Sequence, residues 1–261
     1  MVGLLEAIGR KALNAAGILR EMAGTTGLCG VRALLPASYN PAVRLVLTRQ
    51  VYFTAVQILP LFLTVALLFG VGVVGAVVAG ILRLDLVSQA GTLVVDLLVL
   101  ELAPLITALL IGLRSGSAIN AEMAAMALAG EFRTLDLFAI DRTTYLMLPR
   151  VLAAMTAVPL LTGIFALVAL ISAYLYLFVF DQTALGAYLD AVTAALTGPV
   201  AGLLLAKSLL LGFLVAFIPL YSGSHAPAGL TGISIAVLRG MVRLFLALFL
   251  VEIATLGVLW L

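Results

Sequence analysis

Three charged side chains stand inside long apolar runs of this chain: Glu101, Lys207 and Glu252. An isolated charge at a bilayer centre costs at least about 2.5–3.5 kcal/mol, so such residues pair with one another or face a wet cavity. Counted from the outer ends of their runs, Glu101 lies about nine residues deep, and Lys207 and Glu252 about eight. At ~1.5 Å per residue, all three fall roughly 12–14 Å below the same surface. Two acids and a base at one depth on three helices form a polar layer. Two uses of that layer stay open: an ion pair that holds helices together, or the polar wall of a substrate cavity open to the outer side. In the second case Glu101, Lys207 and Glu252 are substrate-binding residues. Asp96 lies nearer the surface and reads as solvated.

A second constellation occupies 114–150, RSGSAINAEMAAMALAGEFRTLDLFAIDRTTYLMLPR, between two apolar runs. Ala118 to Met126 favour helix, with Glu122 on the polar side. Glu131, Asp136 and Asp141 follow at fivefold spacing, interleaved with Leu128, Phe132, Leu135, Leu137, Phe138 and Ile140. A short amphipathic helix with acids and large apolar anchors docks into a groove on a soluble partner. On that reading Glu122, Glu131, Leu135, Asp136 and Phe138 make the contact; the alternative is an interfacial helix with a solvated face.

Other motifs carry less. Ala206-Lys207-Ser208 has the lysine and serine of a phosphate-binding loop, but Ala201 and Ala206 stand where that loop needs glycine. No nucleotide site, catalytic residue or cofactor is therefore expected in this chain. His225, the only histidine, has no partner for a metal site and falls in the turn SGSHAPAGLTG. One cysteine, Cys29, excludes an intrachain disulfide. Gly112-x-x-x-Gly116 and Gly198-x-x-x-Gly202 allow close helix approach.

The elements that position these residues follow from composition. The chain is 64% hydrophobic and 10% charged, with mean hydropathy +1.29. Soluble domains carry about 25% charged residues, so this is an integral membrane protein. Backbone polar groups in lipid must be satisfied internally, and no strand-period alternation competes, which leaves helices. Five spans are expected near 56–82, 92–113, 147–179, 199–220 and 236–260, each near or above the ~20 residues needed to cross. The third is long enough to be tilted or to begin in the interface at Pro149. Residues 1–50 form a separate segment. There Leu4, Leu5, Ile8, Ala12, Ala15, Leu19 and Met22 recur at helical spacing, which predicts an amphipathic helix lying on the membrane. Residues 51–261 form an all-α, five-helix transmembrane domain with the insert at 114–146.

Orientation follows from Lys and Arg. Arg10, Lys11, Arg20, Arg32, Arg44 and Arg49 precede the first span; Arg114, Arg133, Arg142 and Arg150 mark the insert; Arg239 and Arg243 open the last helix. The opposite side has Arg83 with Asp85, Asp181 and Asp190. The positive-inside rule puts the N-terminus and the insert in the cytoplasm and Trp260 at the outer interface. The small net positive charge does not point to nucleic acid.

The run Glu101-Leu102-Ala103-Pro104-Leu105-Ile106-Thr107-Ala108-Leu109-Leu110, then Arg114-Ser115-Gly116-Ser117-Ala118, Ala121-Glu122-Met123, Met126, Glu131, Leu135, Asp141 and Pro149-Arg150, resembles the MlaE (YrbE-type) permeases. These are membrane subunits of ABC systems that work with MCE-domain proteins in lipid trafficking. The resemblance covers roughly residues 50–255 and extends to Lys207-Ser208, Gly212, the turn at 223–232 and Glu252. It departs at Leu100, where many members have Arg, at Arg142, where many have Pro, and at Glu252, where Asp is common. It implies a homodimer in a bacterial inner membrane, two cytoplasmic ABC ATPase subunits that bind ATP and magnesium, and an MCE-domain protein on the outer side. The insert would be the coupling helix. The cargo would be lipid, with phospholipid expected, moved through a cavity whose apolar walls hold acyl chains. From a different class, an ion-coupled secondary transporter would use Glu101 and Glu252 as proton sites, but no inverted repeat or pair of broken helices accompanies them. A membrane anchor for a soluble complex is a third reading.

Overall fold

A computed structural model describes residues 39–84, 89–180, 185–229 and 231–259, with isolated residues 24, 27, 32, 35 and 86. The amphipathic helix expected over 1–22 lies outside the described residues, as do Cys29, Asp85, Asp181 and Trp260. In chain order the helices are α1 (Pro41–Arg83), α2 (Ala90–Leu128), α3 (Glu131–Leu137), α4 (Thr143–Phe180), α5 (Leu185–Ala195), α6 (Gly198–Ser224) and α7 (Thr231–Leu259). Five of them, α1, α2, α4, α6 and α7, are long and apolar enough to cross a membrane. No strand occurs among the described residues.

All five outrun the apolar windows that announce them. Hydropathy reports contact with lipid, whereas caps and breakers end a helix. Pro41 starts α1 after the extended Asn40, since proline's missing N–H costs nothing in a first turn. Gly130, at φ 74°, ends the helical run after Leu128, a left-handed conformation that favours glycine. Residues 114–128 are therefore not a separate insert helix but the last turns of α2. Ile119, Asn120, Met123 and Ala124 are buried there.

The helices traverse the bundle alternately. One end carries the insert with α3; the opposite end carries α5. A central core joins Phe62, Ile111, Phe165, Leu211 and Leu244. Gly112 and Gly116 face α6 and α7: a Cβ on Gly112 would lie 2.9 Å from Leu244 Cδ2, and one on Gly116 3.2 Å from the Val215 carbonyl. Gly198 and Gly202 have open space instead, so of the two small-residue motifs only the first mediates packing within the chain.

Helix α5 was not expected from the sequence, although Leu185, Tyr188, Leu189 and Val192 keep helical spacing. It packs on Gly91 of α2, where a Cβ would lie 2.7 Å from the Tyr188 carbonyl. The Tyr188 hydroxyl donates to the Leu170 carbonyl at 3.1 Å. Burial pushes this phenol up to about 12, so it remains a protonated donor that ties α5 to α4.

Candidate functional site

The three charges expected at one depth meet at one point. Glu101 on α2, Lys207 on α6 and Glu252 on α7 are 8%, 5% and 7% exposed. The Lys207 ammonium pairs with Glu101 Oε2 and, at 3.0 Å, with Glu252 Oε1. It also donates to the Leu100 carbonyl at 3.1 Å, so all three of its donors are used. Pro104, four residues on, has no N–H to offer this carbonyl. Around it α2 widens into π-helical turns over Val94–Leu102, which bury Leu98, Val99, Leu100 and Glu101 together. The side chain of Leu100 is buried and contributes no charge.

Two carboxylates share one ammonium, so the cluster formally carries one negative charge in excess. Glu252 Oε2 is buried without a hydrogen-bond partner among the described residues. The cluster can therefore do two things. It clamps α2, α6 and α7 across the apolar interior, and it offers one carboxylate oxygen to a donor. Asp96 is exposed and stands apart from it.

The insert's residues divide differently from their spacing. Glu122 pairs with the buried Arg150 at 2.8 Å, joining α2 to α4. Asp136 is held by Arg142, whose Nε donates to Oδ1 at 2.7 Å. Arg142 also lies over the Phe132 ring, 5.3 Å from its centroid. Asp141 accepts from the backbone N–H of Thr143 and Thr144 at 3.3 and 3.1 Å. It thereby caps α4, and it pairs with Arg32. Leu135 is half-buried against the cluster of Met123 and Leu146. Glu131 is exposed. Leu137 and Phe138 are 78% and 72% exposed. The outward apolar pair is thus Leu137 and Phe138, while Leu135 belongs to the insert's own packing.

One buried junction carried no signal strong enough to be singled out in the sequence. Asn120 Nδ2 and Ser222 Oγ both donate to the Ala236 carbonyl, at 3.2 and 2.9 Å. This binds α2, α6 and α7 near the insert end. Glycine makes the approach possible: a Cβ on Gly240 would fall 2.1 Å from Asn120 Nδ2, and one on Gly223 2.4 Å from the Asn120 carbonyl.

The buried ionic clamp thus stands on α2, and the exposed Leu137 and Phe138 follow that helix across the Ala129–Gly130 turn. The family model described as Permease MlaE matches residues 47–256, most of the chain. The chain belongs to the MlaE permease family. The match spans both the clamp and the insert. Among relatives of this MlaE-family chain, a probable ABC transporter permease protein of Rickettsia felis is 26% identical over 248 residues, 93% of this chain and 92% of the relative. The intermembrane phospholipid transport system permease protein MlaE of Haemophilus influenzae is 29% identical over 170 residues, 63% of this chain and 62% of the relative. A probable ABC transporter permease protein of Porphyra purpurea is 29% identical over 152 residues, 58% of each.

Proposed function

We propose that this permease moves phospholipid for an ABC system, driven by a separate ATPase that docks on the insert end. The observation that carries the reading is the connection just described. Glu101, in the buried clamp, and Leu128, at the edge of the insert, lie on one helix, about 40 Å apart at ~1.5 Å per residue. A push on the Leu137–Phe138 face of α3 reaches that helix across only the short Ala129–Gly130 turn. ATP and its magnesium ion belong to the partner, in keeping with the failed phosphate-loop match at Ala206-Lys207-Ser208.

In this reading the insert end faces the cytoplasm of a bacterial inner membrane, and an MCE-domain protein receives or delivers lipid at the α5 end. Two copies of the chain form the pathway between them. The exposed apolar side chains of α7, including Leu246, Phe249, Leu250 and Ile253, supply wall for acyl chains or for the second copy. Glu252 Oε2 accepts from a headgroup donor, with Lys207 and Glu101 setting its orientation. A relative whose name states phospholipid transport supports the cargo. The test is reconstitution of the chain with its ATPase in liposomes holding a labelled phospholipid. ATP-dependent lipid movement that disappears without the ATPase is expected. Movement driven by a proton gradient alone would overturn the reading.

A further inference from the structure

A cavity of about 240 Å³ opens at the insert end, lined by Tyr221, Ser222, His225, Pro227, Ala236, Arg239 and Arg243. No acid lines it. Arg239 and Arg243 are exposed and, among the described residues, make no ion pair. They stand four apart on α7, so they share one face and repel each other. Arginine side chains on a helix point back toward its N-terminus, here toward the end where α6 finishes and α7 begins. The opposite wall is held by internal contacts. The His225 ring lies against Tyr221, 4.3 Å between centroids, with Nδ1 2.9 Å from the Tyr221 carbonyl. Ser222 is fastened to Ala236.

Two uncompensated guanidinium groups in a preformed cavity call for an anion with several acceptor oxygens, and arginine's planar fork suits phosphate. We propose that this pocket binds a phosphate group, within reach of an anionic lipid headgroup in the leaflet at the insert end. The neighbouring Leu238 and Val242 on α7 are 67% and 51% exposed and would lie along the acyl chains. Basic pockets between membrane helices take lipid headgroups in this way. The pocket is separate from the clamp: Arg243 and Glu252 are nine residues apart on α7, about 13 Å at ~1.5 Å per residue. Binding here is therefore independent of the transport reading.

The experiment uses the full-length chain, delipidated in detergent, and measures bound lipid by native mass spectrometry and melting temperature by differential scanning. Phosphatidylglycerol, phosphatidylcholine and inorganic phosphate are added in separate arms. The wild-type chain should retain phosphatidylglycerol over phosphatidylcholine and melt higher with it. The double variant Arg239→Gln, Arg243→Gln should cut that retention at least tenfold, whereas Arg49→Gln, which removes an exposed charge elsewhere, should not. Stabilisation by inorganic phosphate alone, lost in the double variant, would support the phosphate site and assign it to a free anion. Equal retention of both lipids, or unchanged retention in a double variant that still folds, would overturn the proposal.

Discussion

Lys207 is the residue on which the buried charges depend. Its ammonium holds two carboxylates and a backbone carbonyl on two other helices. Removing one partner of a buried ion pair typically costs about 3–5 kcal/mol, because the remaining charge is left unpaired. Lys207→Ala should therefore lower the melting temperature and abolish transport, whereas Lys207→Arg should retain more of both; normal stability and transport in Lys207→Ala would show that the clamp does neither job. Pro104 bears on the same carbonyl only by having no N–H to offer it. Pro104→Ala supplies an N–H to the Leu100 carbonyl, which should compete with Lys207 for it. A net hydrogen bond is worth about 1 kcal/mol, so lipid transport should fall several-fold with little loss of folded protein, measured as activity per mole of chain recovered after size-exclusion chromatography.

At the scale of elements, the proposed docking of the ATPase rests on α3 and its flanks. A few buried anchors dominate most interfaces, each worth about 2 kcal/mol or more on truncation. Leu137 and Phe138 point outward, so replacing both with Ala should release the ATPase on co-purification while the melting temperature of the chain holds. Leu135→Ala should behave differently, because Leu135 packs on Met123 and Leu146: the melting temperature should fall along with any loss of ATPase. An identical response of the two variants would contradict this division. Glu131 is exposed, and in the proposed docking it is the acid that meets a basic partner. Glu131→Lys should weaken docking in a salt-dependent manner, read as ATPase recovery at low and high ionic strength. Asp136 and Glu122 already neutralise Arg142 and Arg150, so their loss should act on the insert's shape first.

For the whole molecule, the ruling quantity is direction across the membrane. In the proposed arrangement, which follows the positive-inside rule, the insert end faces the cytoplasm and α5 the outer side. In a background carrying Cys29→Ser, a cysteine at Thr134 should react only with reagent supplied to the cytoplasmic face, and one at Asp190 only from outside. Both positions are exposed. The reverse pattern would exchange the two ends, placing the ATPase and the MCE-domain protein opposite to the arrangement proposed. It would leave the clamp's internal geometry untouched.

Composition and period determined the class of this protein, because 64% apolar residues in long runs have one way to satisfy their backbone in lipid. They also determined that Glu101, Lys207 and Glu252 would share a depth, since depth along a helix is a count of residues. The acids of the insert were legible as acids but not by role. Glu131, Asp136 and Asp141 look alike in sequence and all are exposed, yet one makes no ion pair among the described residues, one is pinned by Arg142 and one caps a helix. The α5 helix was legible from Leu185, Tyr188, Leu189 and Val192, a pattern short enough to pass for a loop beside two long apolar runs. Which oxygen of Glu252 is left over, and how Asn120 reaches Ala236, depend on contacts between residues 45 and 116 positions apart. Only the tertiary structure decided these, because partner choice rests on where helices cross and how closely glycines let them approach, and neither follows from the spacing of residues along a single helix.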